Sequence, residues 1–166
     1  MKKAIIMIVF TLLIAGQNYL NSQSVAFKES LDSINAILKA NPYHDGFNDV
    51  YFYNSIDITP EKELYVEMSF GGPFKWVYKV KISDLDISLN KDICRESPNS
   101  ICWVCKQSDS GLPVSCVQAE MIMEDGGSEK ENASNICLSF SGRNLICNEL
   151  NNKLRYLFGR VLNNSM

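Results

Sequence analysis

Apolar residues recur at two different spacings along this chain, and each change of spacing marks a new element. From Ser24 to Ala40, Phe27, Leu31, Ile34 and Leu38 fall at helical spacing and Ile37 widens the stripe. Lys28, Glu29, Asp32 and Lys39 lie off that stripe, as on a helix packed along one side. Asn41-Pro42 ends it, because the residue before a proline avoids helical backbone angles. Tyr43-His44-Asp45-Gly46 reads as a loop. The period then becomes two: Val50, Phe52, Ile56 and Ile58 share one strand face, and Tyr51, Tyr53, Ser55 and Asp57 the other. After the turn residues Thr59-Pro60-Glu61-Lys62, Leu64, Val66, Met68 and Phe70 alternate with Glu63, Tyr65, Glu67 and Ser69. After Gly71-Gly72-Pro73, Trp76, Tyr78, Val80 and Ile82 alternate with Lys75, Val77, Lys79 and Lys81.

The last two strands predict a hairpin with a definite register. A loop over Ser69 to Pro73 sets Met68 opposite Phe74, Val66 opposite Trp76 and Leu64 opposite Tyr78. The other face then pairs Glu67 with Lys75 and Glu63 with Lys79. Matched cross-strand pairs contribute about 0.2–1 kcal/mol each, and a slip of one residue sets apolar against charged faces.

Further along, Leu85, Ile87 and Leu89 predict a short strand. Ile101 to Lys106 reads as a strand and Val114 to Met123 as its partner, across the turn Ser108-Asp109-Ser110-Gly111. Glu124 to Asn135 lacks apolar periodicity and reads as a mobile loop. Ile136, Leu138 and Phe140 mark a last strand. A long helix closes the chain, with Ile146, Leu150, Leu154, Leu157 and Val161 in one stripe and Phe158 and Leu162 beside it. Ser141 is placed to cap its first turn, and Gly159 to allow a close approach to the sheet. The fold class is α+β: an N-terminal helix, an antiparallel meander of about six or seven strands, curled, and a C-terminal helix packed on the sheet. A meander closed by a helix looks like the pleckstrin-homology-like barrel pattern, and a helix followed by a curled sheet looks like the cystatin pattern.

The N-terminus carries an address. Lys2 and Lys3 precede the apolar run Ala4 to Ala15, which is shorter than the ~20 residues a membrane-spanning helix needs. Ser22-Gln23-Ser24 is a small-x-small cleavage site, so residues 1–24 read as a signal peptide and 25–166 as one exported domain. No second long apolar run follows, so no membrane span is expected after signal removal. Loss of the two lysines takes the formal charge from −3 to −5, and the acidic chain shows no basic stripe for nucleic acid. The Lys-Lys opening with its apolar run ending Asn-Ser-Gln-Ser resembles export signals of Bacteroidota. The helix Leu31 to Leu38, the stretch Ile56-Asp57-Ile58-Thr59 and the closing strand and helix look like small exported proteins of that group whose function is unknown. That resemblance carries no active-site motif and transfers no functional residue.

Six cysteines follow the signal: Cys94, Cys102, Cys105, Cys116, Cys137 and Cys147. An even number in an exported chain points to disulfides, and six cysteines allow 15 complete pairings. Cys105 with Cys116 across the turn, Cys137 with Cys147, and Cys94 with Cys102 make one possible set. Cys102-Trp103-Val104-Cys105 has the spacing of a redox pair, but its flanks favour a strand, where the two thiols point to opposite faces. A zinc site wants four ligands, and there is one Cys-x-x-Cys and a single histidine, His44. His44 sits without any nucleophile-elbow motif. Asp84 and Asp86, and Glu124 beside Asp125, read as solvated edges, not as a glycosidase pair. Tyr51, Tyr53 and Tyr65, with Tyr43 near in sequence, form a possible ligand-binding face for sugars or peptides. The reading is a non-enzymatic exported binding domain, without cofactor or metal, for a protein, peptide or glycan partner. The alternatives are a secreted enzyme or enzyme inhibitor, and a thiol-disulfide protein acting through Cys102 and Cys105.

Overall fold

A computed structural model describes residues 25–88, 93–108, 111 and 114–163 of the chain. The expected signal peptide and Leu89 lie outside the described residues. A first helix, α1, covers residues 25–40. Four strands follow: β1 (Tyr43–Asp45), β2 (Val50–Ile58), β3 (Glu63–Ser69) and β4 (Phe74–Lys81). A 3-10 turn (Ile82–Asp84) leads into β5 (Leu85–Asp86), a one-turn helix α2 (Ile93–Glu96) and β6 (Ser100–Cys105). The chain ends with β7 (Val117–Met123), β8 (Ser128–Ala133), β9 (Asn135–Ser139) and the long helix α3 (Asn144–Leu162).

Strands β1-β2-β3-β4-β7-β8 form one antiparallel sheet, and β5-β6-β9 a second. The α+β class with a helix at each end is as expected, but the large sheet does not close into a barrel. One core joins the two sheets and both helices. Ile56, Ile58, Leu64, Val66, Val80 and Val117 of the large sheet meet Ile101, Trp103, Ile136 and Leu138 of the small one. Ile34 and Leu38 of α1 and Leu150, Leu154, Leu157, Phe158 and Val161 of α3 complete it. Within it Trp103 and Phe158 pack at a tilt of 57°, ring centroids 5.3 Å apart. Asn35 of α1 lies along the open edge of β2: its amide donates to the Ile56 carbonyl (2.9 Å) and accepts from the Ile56 N–H (2.8 Å).

The β3–β4 hairpin keeps the expected faces but not the expected register. Met68 lies opposite Trp76, Val66 opposite Tyr78 and Leu64 opposite Val80, two residues from the sequence-based pairing. A slip of two preserves every face, so alternation alone does not distinguish the registers. The observed one sets Leu64, fully buried, against buried Val80, so burial ends together on both strands. The acid–base pairs survive as diagonals: Lys75 reaches Glu67 at 2.6 Å and Lys79 reaches Glu63 at 2.8 Å.

Two stretches expected as loops are strands. Tyr43–Asp45 pairs with the start of β2, and Ser128–Ala133 pairs with β7. β8 carries no apolar alternation because it is an exposed edge strand whose first five residues are all open to solvent; Gly126, at φ 87°, permits the turn that returns it. β7 is the partner of β4 and β8, not of β6, which lies between β5 and β9. Register also decides the disulfides. Cys102 is directly opposite Cys137, Cα atoms 4.0 Å apart, and the two are bonded. Cys94 is bonded to Cys147, and Cys105 to Cys116 as expected. The alternatives Cys137–Cys147 and Cys94–Cys102 are thereby corrected. Ser141 does not cap α3, which begins three positions later with Arg143 at its N-cap; its N–H instead binds the Asn41 carbonyl (3.0 Å). A Cβ on Gly159 would meet nothing within 4 Å, so no close approach occurs there.

Candidate functional site

The large sheet is longer than the layer that covers it. Along the inner face of its four longest strands, side chains stand in rows set by the register. Ile58, Leu64, Val80 and Val117 form one row, and Ile56, Val66, Tyr78 and Ala119 the next. Both are buried apart from Tyr78, which is half-buried. The third row is Asn54, Met68, Trp76 and Met121, and the last is Phe52, Phe70, Phe74 and Met123. Asn54 is buried at the boundary, its amide donating to the Ser139 carbonyl of β9. Beyond it Met68, Trp76, Met121, Phe52, Phe70 and Met123 are only half-buried and Phe74 is exposed. None of these seven belongs to the core.

The half-buried rows form a run of aromatic contacts that opens to solvent at Phe74. Ring centroids are 5.7 Å apart for Tyr43 and Phe52, 4.7 Å for Phe52 and Phe70, and 5.1 Å for Phe70 and Phe74. Trp76 stacks on Tyr78 at 6.0 Å. At the strand spacing of about 4.8 Å, the face is roughly 20 Å wide across five strands. Three turns gather at this end, and the Glu124 N–H of one donates to the Pro73 carbonyl of another (2.8 Å). In the β1–β2 turn Asp45 accepts from the Phe47 N–H and from the Asn48 amide, which presents Phe47 to solvent at 95% exposure. Those two hydrogen bonds, the Asn48 one foremost, hold the Asp45 carboxyl below its ordinary 3.8.

Charge is sorted between the two faces. By register the inner-face charges are Asp45 on β1 and Glu129 and Glu131 on β8, all acidic. Burial raises the Tyr78 pKa above its ordinary 10.0, and the negative Glu131 raises it further. Lys75, Lys79, Lys81 and Lys130 all stand on the outer face. There Glu67–Lys75, Glu63–Lys79 and Glu120–Lys130 pair, the last at 3.6 Å. Lys79 also lies 5.5 Å from the Tyr65 ring, and its bond to Glu63 raises its pKa above 10.5.

The tyrosine set divides between these faces. Tyr51 and Tyr53 are exposed on the outer face and Tyr65 is half-buried there, beside a hollow of about 350 Å³ also lined by Val77, Lys79 and Gln118. Tyr43 is on the inner face with Phe52. In its place the outer face gains His44, stacked on Tyr51 at 4.5 Å and bonded to Asp49 at 3.0 Å. All six cysteines are in disulfides, so neither a free thiol nor a thiolate ligand is present. Cys102 and Cys105 go to different partners and do not form a redox pair with each other. No cluster of three or more metal-ligating side chains occurs among the described residues. No described helix is long and apolar enough to cross a membrane.

The sequence pattern marks Phe52, Met68, Phe70 and Trp76 as one-face residues, but alternation records only which face a side chain takes, not whether anything lies over it. Compared with known proteins, the chain matches no family model, no curated protein and no solved structure.

Proposed function

We propose that this chain is an exported, disulfide-stabilised binding domain that docks a partner polypeptide on the open apolar end of its large sheet. The single observation behind this reading is the aromatic and methionine surface from Tyr43 to Met123 that the core leaves uncovered. Apolar patches of a few hundred Å² on a small domain are commonly functional, and aromatic residues and methionine are enriched at protein interfaces. Methionine adapts its shape to varied partners, and three contribute here: Met68, Met121 and Met123. A glycan is a poorer fit, because sugar rings need hydrogen-bonding groups beside the aromatic ring. The one amide in these rows, Asn54, is 5% exposed. Three disulfides are consistent with an oxidising compartment and with export.

The test is binding of an apolar fluorescent dye to the secreted protein, with the far-ultraviolet circular dichroism recorded alongside. Phe74 lies outside the core, so Phe74→Ser should leave the spectrum unchanged and weaken dye binding at least about fivefold. Unchanged dye affinity in Phe74→Ser, with the fold intact, would overturn the reading.

A further inference from the structure

The reading of the open sheet end as a docking face leaves the chemistry of its occupant to be decided, and the sorting of charge decides it. We infer that the occupant is an apolar polypeptide segment flanked by lysine or arginine. This rests on the docking reading and adds a charge requirement to it. The inner face of the sheet carries Asp45, Glu129 and Glu131 and no base, although the same strands carry four lysines on their other side. Glu129 stands directly opposite Met121, at the β8 border of the open rows, and Glu131 opposite Ala119, one row further in beside half-buried Tyr78. The Asp125 carboxylate lies at the turn beside Met123, both close to Gly127. Asp45 borders the same face from the opposite edge.

An apolar floor between two acidic borders repels an identical face, so a second copy is a poor occupant. It also repels an anionic membrane surface. A segment whose middle is apolar and whose ends are basic satisfies both parts at once: the apolar side chains cover the methionines and phenylalanines, and the basic ends meet the carboxylates.

The protein reports on the face without alteration. Trp103 is 1% exposed, so the quencher-accessible tryptophan emission belongs to Trp76. Three synthetic peptides with one shared apolar centre and Lys, Ser or Glu ends are titrated against the secreted protein while acrylamide quenching of Trp76 is followed. The Lys-ended peptide should protect Trp76 and bind about tenfold more tightly than the Glu-ended one at about 0.1 M salt, with the gap closing at about 1 M. Glu129→Gln with Glu131→Gln, both at exposed positions, should remove most of that preference for Lys over Glu ends.

Equal binding of all three peptides would overturn the charge requirement and leave the docking face standing. Dye binding without any peptide binding would do the same. A Trp76 already shielded from acrylamide in a protein that sediments as a dimer would make the second copy the occupant and overturn the inference. Tighter binding to neutral or anionic lipid vesicles than to the Lys-ended peptide would overturn it in favour of a lipid surface.

Discussion

Asn35 does for β2 what a neighbouring strand would do. β1 pairs only with Val50 to Phe52, which leaves the edge of β2 open beyond it. The Asn35 amide then supplies both a donor and an acceptor to the Ile56 backbone. Removing it leaves an N–H and a C=O unpaired at a largely covered position, and each such group costs about 1–3 kcal/mol where water does not replace the partner. With two such groups, partly rehydrated at half-buried Asn35, Asn35→Ala should lower the unfolding free energy by about 2–4 kcal/mol, read as a shift in the urea midpoint with unchanged slope. Ser141 is the converse case. Its residue type favours a helix cap, but the chain uses its backbone N–H to tie the end of α1 to the start of the last segment.

At the scale of elements, β8 is the clearest departure from the hydropathy pattern. Its residues Ser128 to Asn132 are all exposed, and Lys130 reaches Glu120 across the ladder. A strand held by one neighbour and little apolar contact opens locally at low cost. Amide protons that β8 donates to β7 should exchange at least about 100-fold faster than those between β3 and β4, measured by nuclear magnetic resonance at neutral pH. Its charges also blunt the edge against pairing with other chains. The β3–β4 hairpin shows the opposite behaviour. Its strands, faces and ion pairs are all legible from the alternation of Leu64 to Phe70 and Trp76 to Ile82. Its register is not, because a two-residue slip changes no face.

For the whole molecule, the three disulfides brace the part of the chain that follows the large sheet's first four strands. Cys94–Cys147 ties α2 to α3 over a separation of 53 residues, whereas Cys105–Cys116 spans 11. On chain-entropy grounds the longer closure stabilises by roughly 4 kcal/mol and the shorter by roughly 3 kcal/mol. Thermal unfolding of Cys94→Ala with Cys147→Ala should show the larger loss, and Cys105→Ala with Cys116→Ala the smaller. A disulfide map of the unreduced protein should join Cys94 to Cys147, Cys102 to Cys137 and Cys105 to Cys116. Equal losses in the two variants would show that strain or packing, not loop closure, sets their weight.

Features that depend on neighbours along the chain are legible in the order of residues: the two main helices, the alternation of most strands, the faces those strands present and an even set of cysteines. They are legible because side-chain period is a local property of backbone geometry. Which strands are neighbours, which cysteines meet and where the core ends emerge on folding alone. These depend on contacts between residues far apart in the chain. Phe52, Phe70 and Phe74 carry the same alternation signal as Ile56 and Leu64; what separates the half-buried rows from the core is whether another layer packs over them, and no local pattern records that.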